Sequence, residues 1–272
     1  MPIYAGQVPD SVPLSDSPDH AGRRRVLRAG LAGAATLAVG GGAGASAVRY
    51  ADTHLSPTAR VAPRPTEPGR YATRVLFQGS PDRDEVCLTF DDGPDPRWTP
   101  MVLDMLAELG ASATFFVLGE AVAAHPDLVA RQAETGHEVG VHNWVHTDVY
   151  GVEVDALRDS VDRTITAIQD AGAPQPALWR PPYGRVDAPA LMVAAERDLD
   201  ILLWSEHTPT ARLARDVADT AHAGSVILCH DGRTQPNEGL LRAVGESISA
   251  LQGQGMTFVT ASRLMEGSEI GS

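Results

Sequence analysis

The chain contains no lysine: all 22 of its basic residues are arginine, set against 35 acidic residues for a formal charge of −13. Without lysine there is no Schiff base, no lysine-linked pyridoxal phosphate and no phosphate-loop lysine. A surface this acidic repels phosphate backbones, which argues against a nucleic-acid partner. Cysteine is almost as scarce. Two residues, Cys87 and Cys229, make neither a thiolate zinc site nor a disulfide scaffold. Both lie in apolar strand-like runs and read as buried free thiols. Any metal must therefore be held by carboxylates and some of the nine histidines. The 272 residues suffice for one core of ~200 residues with appendages, not for two full domains.

The N-terminal quarter carries no globular pattern. Residues 1–22 are polar and hold four prolines. Arg23 to Arg28 reads RRRVLR, and no charge follows until after Ala47. That uncharged run is rich in Ala and Gly and ends in Ala45-Ser46-Ala47, a pattern suited to signal peptidase. The order of basic and apolar residues resembles a twin-arginine export signal. The expectation is a signal peptide over 1–47, a Pro-rich flexible linker over 48–72, a globular domain over 73–267 and a short tail over 268–272. The translocase would be a partner during export. The destination would be extracellular or the cell envelope, with a membrane tether if the signal is not cleaved.

From about Val75 short apolar runs alternate with amphipathic stretches. Strands are expected at Val86–Phe90, Ala113–Leu118, Val139–His142, Ala177–Arg180, Ile201–Trp204, Ser225–Cys229 and Met256–Val259. Helices are expected at Thr99–Glu108, Glu120–Thr135, Val154–Ala171, Ala188–Arg197, Arg212–Ala221 and Leu240–Gln252. Within the third of these, Leu157, Val161, Ile165 and Ile168 form one helical stripe. Alternation of this kind predicts an α/β fold with a parallel sheet, closed or nearly closed into a barrel, whose chemistry gathers where strands end.

Four strand ends are rich in polar residues. The first reads Thr89-Phe90-Asp91-Asp92-Gly93-Pro94. The third reads His142-Asn143-Trp144-Val145-His146, with histidines four apart, a spacing that lets both reach one metal. The fourth reads Trp179-Arg180-Pro181-Pro182-Tyr183-Gly184, and the sixth Ile227-Leu228-Cys229-His230-Asp231-Gly232.

In this order and spacing the motifs resemble those of the polysaccharide deacetylases, the NodB-homology group also called carbohydrate esterase family four. The likeness runs over about residues 73–267. It implies a distorted (β/α)7-type barrel and an enzyme that removes acetyl groups from N-acetylated sugars of peptidoglycan or chitin-type glycan. It implies a divalent metal on Asp92, His142 and His146, most often zinc, with cobalt, nickel and manganese as alternatives. Asp91 would be the general base, oriented by Arg180, and His230 the general acid. The backbone N–H of Tyr183 would face the oxyanion, Leu228 the acetyl methyl, and Pro182 would stiffen the loop. Trp144, an aromatic between the two histidines, would stack on sugar rings.

Two departures stand out. Asn143 replaces the hydroxyl residue of the second motif. The fourth motif, Asp-x-x-Asp-Trp, is missing, its positions falling on His207, Thr210 and Ala211. The second aspartate there partners the acidic histidine, so His230 is expected to lack its carboxylate unless Glu206, Asp216 or Asp219 stands in. An O-acetyl esterase acting on xylan-like polymer, or a carbohydrate-binding relative of little activity, are the competing expectations.

Overall fold

The computed structural model describes residues 72–232 and 237–266. The expected signal, almost all of the linker and the tail lie outside the described residues. Among those described, no helix is long and apolar enough to cross a membrane.

Nine strands form one sheet, every pairing parallel: β1 (Val75–Leu76), β2 (Glu85–Asp91), β3 (Ala113–Val117), β4 (Glu138–Val141), β5 (Leu178–Trp179), β6 (Asp200–Leu202), β7 (Glu206–His207), β8 (Val226–His230) and β9 (Thr257–Phe258). Their spatial order is β1-β6-β5-β4-β3-β2-β8-β7, with β9 added to the lower end of β2. The sheet thus curls as an incomplete barrel with edges at β1 and β7, the distorted (β/α)7 type. Helices follow the strands: α1 (Trp98–Leu109), α2 (Gly119–Ala124), α3 (Pro126–Glu134), α4 (Val154–Asp170), α5 (Ala188–Ala195), α6 (Ala211–Thr220), α7 (Glu238–Gly253) and α8 (Ala261–Met265).

The elements follow from local chemistry. Six of the seven residues of β2 are buried, as expected of a parallel strand covered on both faces. The stripe predicted for α4 is the face it buries: Leu157, Val161, Ile165 and Ile168 all face the core. Helix starts are capped where a side chain can accept, by Asp187 before α5, Thr210 before α6 and Asn237 before α7. The single helix expected over Glu120–Thr135 is two. Pro126 has no N–H to donate backward, so the chain breaks at His125 and Pro126 opens α3 at its first turn.

Side chains alternate along each strand and so sort into two layers. Val86, Leu88 and Phe90 of β2 point outward to the helices, with Phe115 and Trp179, in the main core. Cys87 points inward, into a smaller cluster with Phe116, Leu178, Leu202 and Val226, closed from below by Leu264 and Met265 of α8. Each fully buried Phe or Leu contributes ~1.5–3 kcal/mol. Cys87 and Cys229 are free and buried, and burial pushes both thiols up to about 12. Continuing the inward series up β2 from Cys87 gives Thr89 and then Asp91. On β8 the same series gives Val226, Leu228 and His230. The apolar plug below becomes polar at the strand ends.

Candidate active site

The register places these polar ends side by side. Asp91 of β2 lies opposite His230 of β8. One step past β4, the N–H of His142 donates to the carbonyl of Val117 at 2.9 Å, and one step past β5 that of Arg180 donates to Val141 at 2.9 Å. Both side chains therefore point to the interior.

Arg180 is fully buried, and its guanidinium has all its reach used. Nε and Nη2 each donate at 2.9 Å, to the carbonyls of Leu202 and Leu203. Nη1 donates to the Thr89 hydroxyl at 2.8 Å and to Asp91 Oδ1 at 2.7 Å. The plane rests on the Phe116 ring, 4.2 Å from its centroid. A buried cation held in five places fixes Asp91 beside it as a carboxylate of defined direction. The other oxygen, Oδ2, lies 3.8 Å from His142 Nε2.

Asp92 turns the other way, because its backbone adopts φ 73°. Its Oδ1 lies 3.4 Å from Nε2 of His142 and 3.4 Å from Nε2 of His146. One ligand atom from each of the three residues falls within 4.8 Å of the others. Burial alone pushes the Asp92 carboxyl up, but its hydrogen bond to His142 and the charges of His142, His146 and His230 together hold it below the usual range. The ring of His142 is oriented from behind: Nδ1–H donates to the Arg180 carbonyl at 2.6 Å, which leaves Nε2 on the side of Asp92.

These donors suit a divalent ion. Ligand bonds of zinc length give a tetrahedron with edges of roughly 3.3–3.4 Å. The two separations between Asp92 and the histidines match that edge. Three protein donors also leave room for a further ligand.

Among the described residues, three of the four non-glycine residues with positive φ lie at this rim: Asp92 at 73°, Asn143 at 69° and Tyr183 at 62°. Strained backbone concentrated at one place is a mark of a functional site. Asn143 tolerates that conformation better than a branched hydroxyl residue. Its Oδ1 accepts from the Trp179 indole N–H at 2.9 Å, fixing the turn between the two histidines. Tyr183 is 58% exposed and stands edge-on to His146, centroids 4.5 Å apart. Pro182 is buried beneath it and opens the short turn Pro182–Gly184. Leu228 is buried on the same face as His230, one inward step below it.

Trp144 is not brought to this group. Its ring packs against Gly119, where an added Cβ would collide with Cε3, and the Arg163 guanidinium covers it at 3.9 Å. It lines a groove between α2 and α4 with Val122, Pro126 and Thr166, away from the strand ends.

Other residues matter that the sequence did not single out. Thr89 is the hydroxyl under Arg180. Asp231 is wholly buried behind the first motif, where Gly93 and Gly232 let the two loops touch: an added Cβ on Gly93 would collide with Asp231 Oδ1. The Thr99 hydroxyl donates to its Oδ2 at 2.6 Å. Burial, reinforced by the charges of Asp91 and Asp92, raises Asp231 to about 7. Of the missing fourth motif, Thr210 caps α6 through the Leu213 N–H at 3.3 Å. His207 lies on the pocket face beside His230, ring centroids 5.9 Å apart.

Known proteins are similar to this chain in sequence and fold. The sequence profile of the polysaccharide deacetylases matches residues 78–202. A peptidoglycan-N-acetylglucosamine deacetylase of Bacillus cereus is 33% identical over 206 residues, covering 74% of each chain. The peptidoglycan-N-acetylglucosamine deacetylase PgdA of Listeria monocytogenes is 35% identical over 185 residues, which is 66% of this chain and only 38% of that longer one. Among solved structures, the Bc1960 peptidoglycan N-acetylglucosamine deacetylase bound to a naphthyl N-hydroxybenzamide superposes with a TM-score of 0.68 at 33% identity, over 71% of this chain and 92% of that one. The chain belongs to the polysaccharide deacetylase family of hydrolases.

Proposed function

We propose that this chain is an exported, metal-dependent N-deacetylase that cleaves the acetamide of N-acetylated sugars in a cell-envelope glycan or chitin-type oligosaccharide. The observation that carries the reading is the three-donor cluster of Asp92, His142 and His146 set directly beside the Arg180-held carboxylate of Asp91. The names of the relatives, three of them peptidoglycan deacetylases, support the substrate class.

Asp92, His142 and His146 would hold the ion, with zinc the first choice for one carboxylate and two imidazoles. When bound, such an ion polarises a carbonyl and makes water a nucleophile at neutral pH. Asp91 accepts the proton of the attacking water, and Arg180 keeps its oxygens aimed. The Tyr183 N–H, presented at φ 62°, donates to the oxygen that gains charge. Leu228 gives the acetyl methyl an apolar seat. His230 donates a proton to the departing nitrogen as the carbon–nitrogen bond breaks, releasing acetate and a free amine.

Export rests on Arg23 to Arg28 and the Ala45-Ser46-Ala47 ending, ahead of a catalytic domain over 73–267. Detection of the mature protein in the envelope or medium, lost when Arg23 and Arg24 are replaced by Gln, would support it.

A second reading has one observation behind it. No salt bridge joins His230 to an acid among the described residues, and an alcohol leaves with less help from an acid than an amine does. That favours an O-acetyl esterase on xylan-like polymer. The zinc-loaded protein should release acetate from N-acetylglucosamine oligomers; release from acetylated xylan alone would establish the second reading, and release from neither would refute both.

A further inference from the structure

The loops that follow β4 and β5 are tied to each other twice. Nearest the centre, the rings of His146 and Tyr183 stand 4.5 Å apart. Two residues farther along each loop, Arg185 Nη1 donates to Asp148 Oδ2. Two extended residues advance a chain by at most roughly 7 Å, so this second tie lies one short step out from the metal donors. Asp148 Oδ1 also accepts from the Tyr150 N–H at 3.0 Å, which sets Tyr150 beside the pair. The Tyr150 side chain is 64% exposed.

We propose that Arg185 and Tyr150 form a subsite for a carboxylate-bearing sugar next to the one that is deacetylated, so that the chain prefers an acidic envelope glycan to a neutral chitin-type oligomer. The inference rests on the deacetylase reading above and narrows its substrate class. A guanidinium binds a carboxylate best through two parallel N–H donors on one edge. Asp148 occupies Nη1 alone; the Nε and Nη2 edge makes no hydrogen bond among the described residues, and the side chain is 58% exposed. The open Tyr150 ring offers the sugar an apolar face.

The charge balance points the same way. A chain of formal charge −13 repels an acidic polymer, and a cation at the rim offsets that repulsion where the substrate must dock. The ion pair is not needed to hold the loops. An exposed pair contributes little, whereas Val149, between Asp148 and Tyr150, is buried in the core, and Pro182 is buried beneath Tyr183. A peptidoglycan strand carries carboxylates from two sources: the lactyl group of a peptide-free muramoyl sugar, and the acids of a stem peptide.

Three probes test this with the zinc-loaded full chain: neutral N-acetylglucosamine oligomers, peptide-free oligomers alternating N-acetylglucosamine with N-acetylmuramic acid, and the same oligomers bearing stem peptides. The wild type should show the higher kcat/KM on an acidic oligomer, with the margin shrinking as salt rises from about 0.05 to about 0.5 M. Which acidic oligomer is preferred identifies the carboxylate. Arg185→Gln should lower the acidic-to-neutral ratio of kcat/KM about tenfold, through KM. Arg263→Gln removes the same charge beside Glu85, at the start of β2 and the far end of the sheet, and should leave that ratio alone. Asp148→Asn keeps an acceptor for the Tyr150 N–H and releases the guanidinium, so it should raise the ratio. A lowered ratio in Asp148→Asn would mark the pair as a mere strap and overturn the inference. So would an equal loss on neutral and acidic oligomers in Arg185→Gln, or a wild type that favours neither acidic oligomer. Should no oligomer yield acetate, the deacetylase reading falls, and calorimetric binding of the acidic oligomers to wild type and Arg185→Gln still decides the subsite.

Discussion

Replacing Asp231 by Asn should make the protein more resistant to alkaline unfolding, although it removes a charged group at the centre of the fold. Asp231 is fully buried, its Oδ2 accepts from Thr99, and its Oδ1 has no hydrogen-bond partner among the described residues. Burial raises its carboxyl from 3.8 to about 7. The unfolded chain therefore releases this proton near pH 4, while the folded chain keeps it until about pH 7. Between those values the folded state binds more protons, so stability falls as pH rises. The contribution is full below the unfolded pKa and gone above the folded one. Each unit is worth about 1.36 kcal/mol, so from about pH 5 to about pH 7 the wild type loses about 2.7 kcal/mol through this group. The carboxamide of the variant cannot titrate, and its oxygen can still accept from Thr99. Urea denaturation of chelator-treated wild type and Asp231→Asn, at about pH 5 and about pH 8, isolates the difference because all other carboxylates are shared. The variant should gain about 2–3 kcal/mol on the wild type between the two conditions. A stability difference that does not change with pH would refute the reasoning.

Asp91→Asn should lower turnover by about 10²–10⁴-fold while bound zinc, measured by elemental analysis, stays at the wild-type level; retained activity would remove Asp91 as the base. His142→Ala should purify with little zinc, since it deletes one of three donors, and the same measurement reports it. Arg180→Met should cost about 3–5 kcal/mol in urea denaturation, because it strands the buried Asp91 carboxylate and removes the donors to Leu202 and Leu203.

The sequence disclosed the site better than it disclosed the frame around it. Apolar periodicity located the polar strand ends that hold Asp92, His142 and His146, and the resemblance to the deacetylases is what joined these three into one ligand set, whose donor atoms the structure brings together. β1 and β7 were not legible: two residues show no alternation, and each exists only because β6 or β8 offers a ladder. The break at His125 was written in Pro126, but Leu128 and Val129 continue the apolar pattern across it and mask the stop. Trp144 follows the first of the two histidines in sequence, whereas its neighbours in space are Gly119 and Arg163, a packing that no local pattern announces. The burial of Asp231 depends on two loops far apart in the chain, and no local pattern announces it.

Arg180 serves its neighbours by two separable routes. Its guanidinium steadies Asp91, while its main-chain carbonyl fixes the ring of His142. Mutation reaches only the first of these, since every amino acid carries the same carbonyl. Side-chain changes at position 180 should therefore divide the centre into independent halves, leaving cation affinity nearly intact while proton abstraction fails. Few single positions offer such a clean uncoupling of holding an ion from using it.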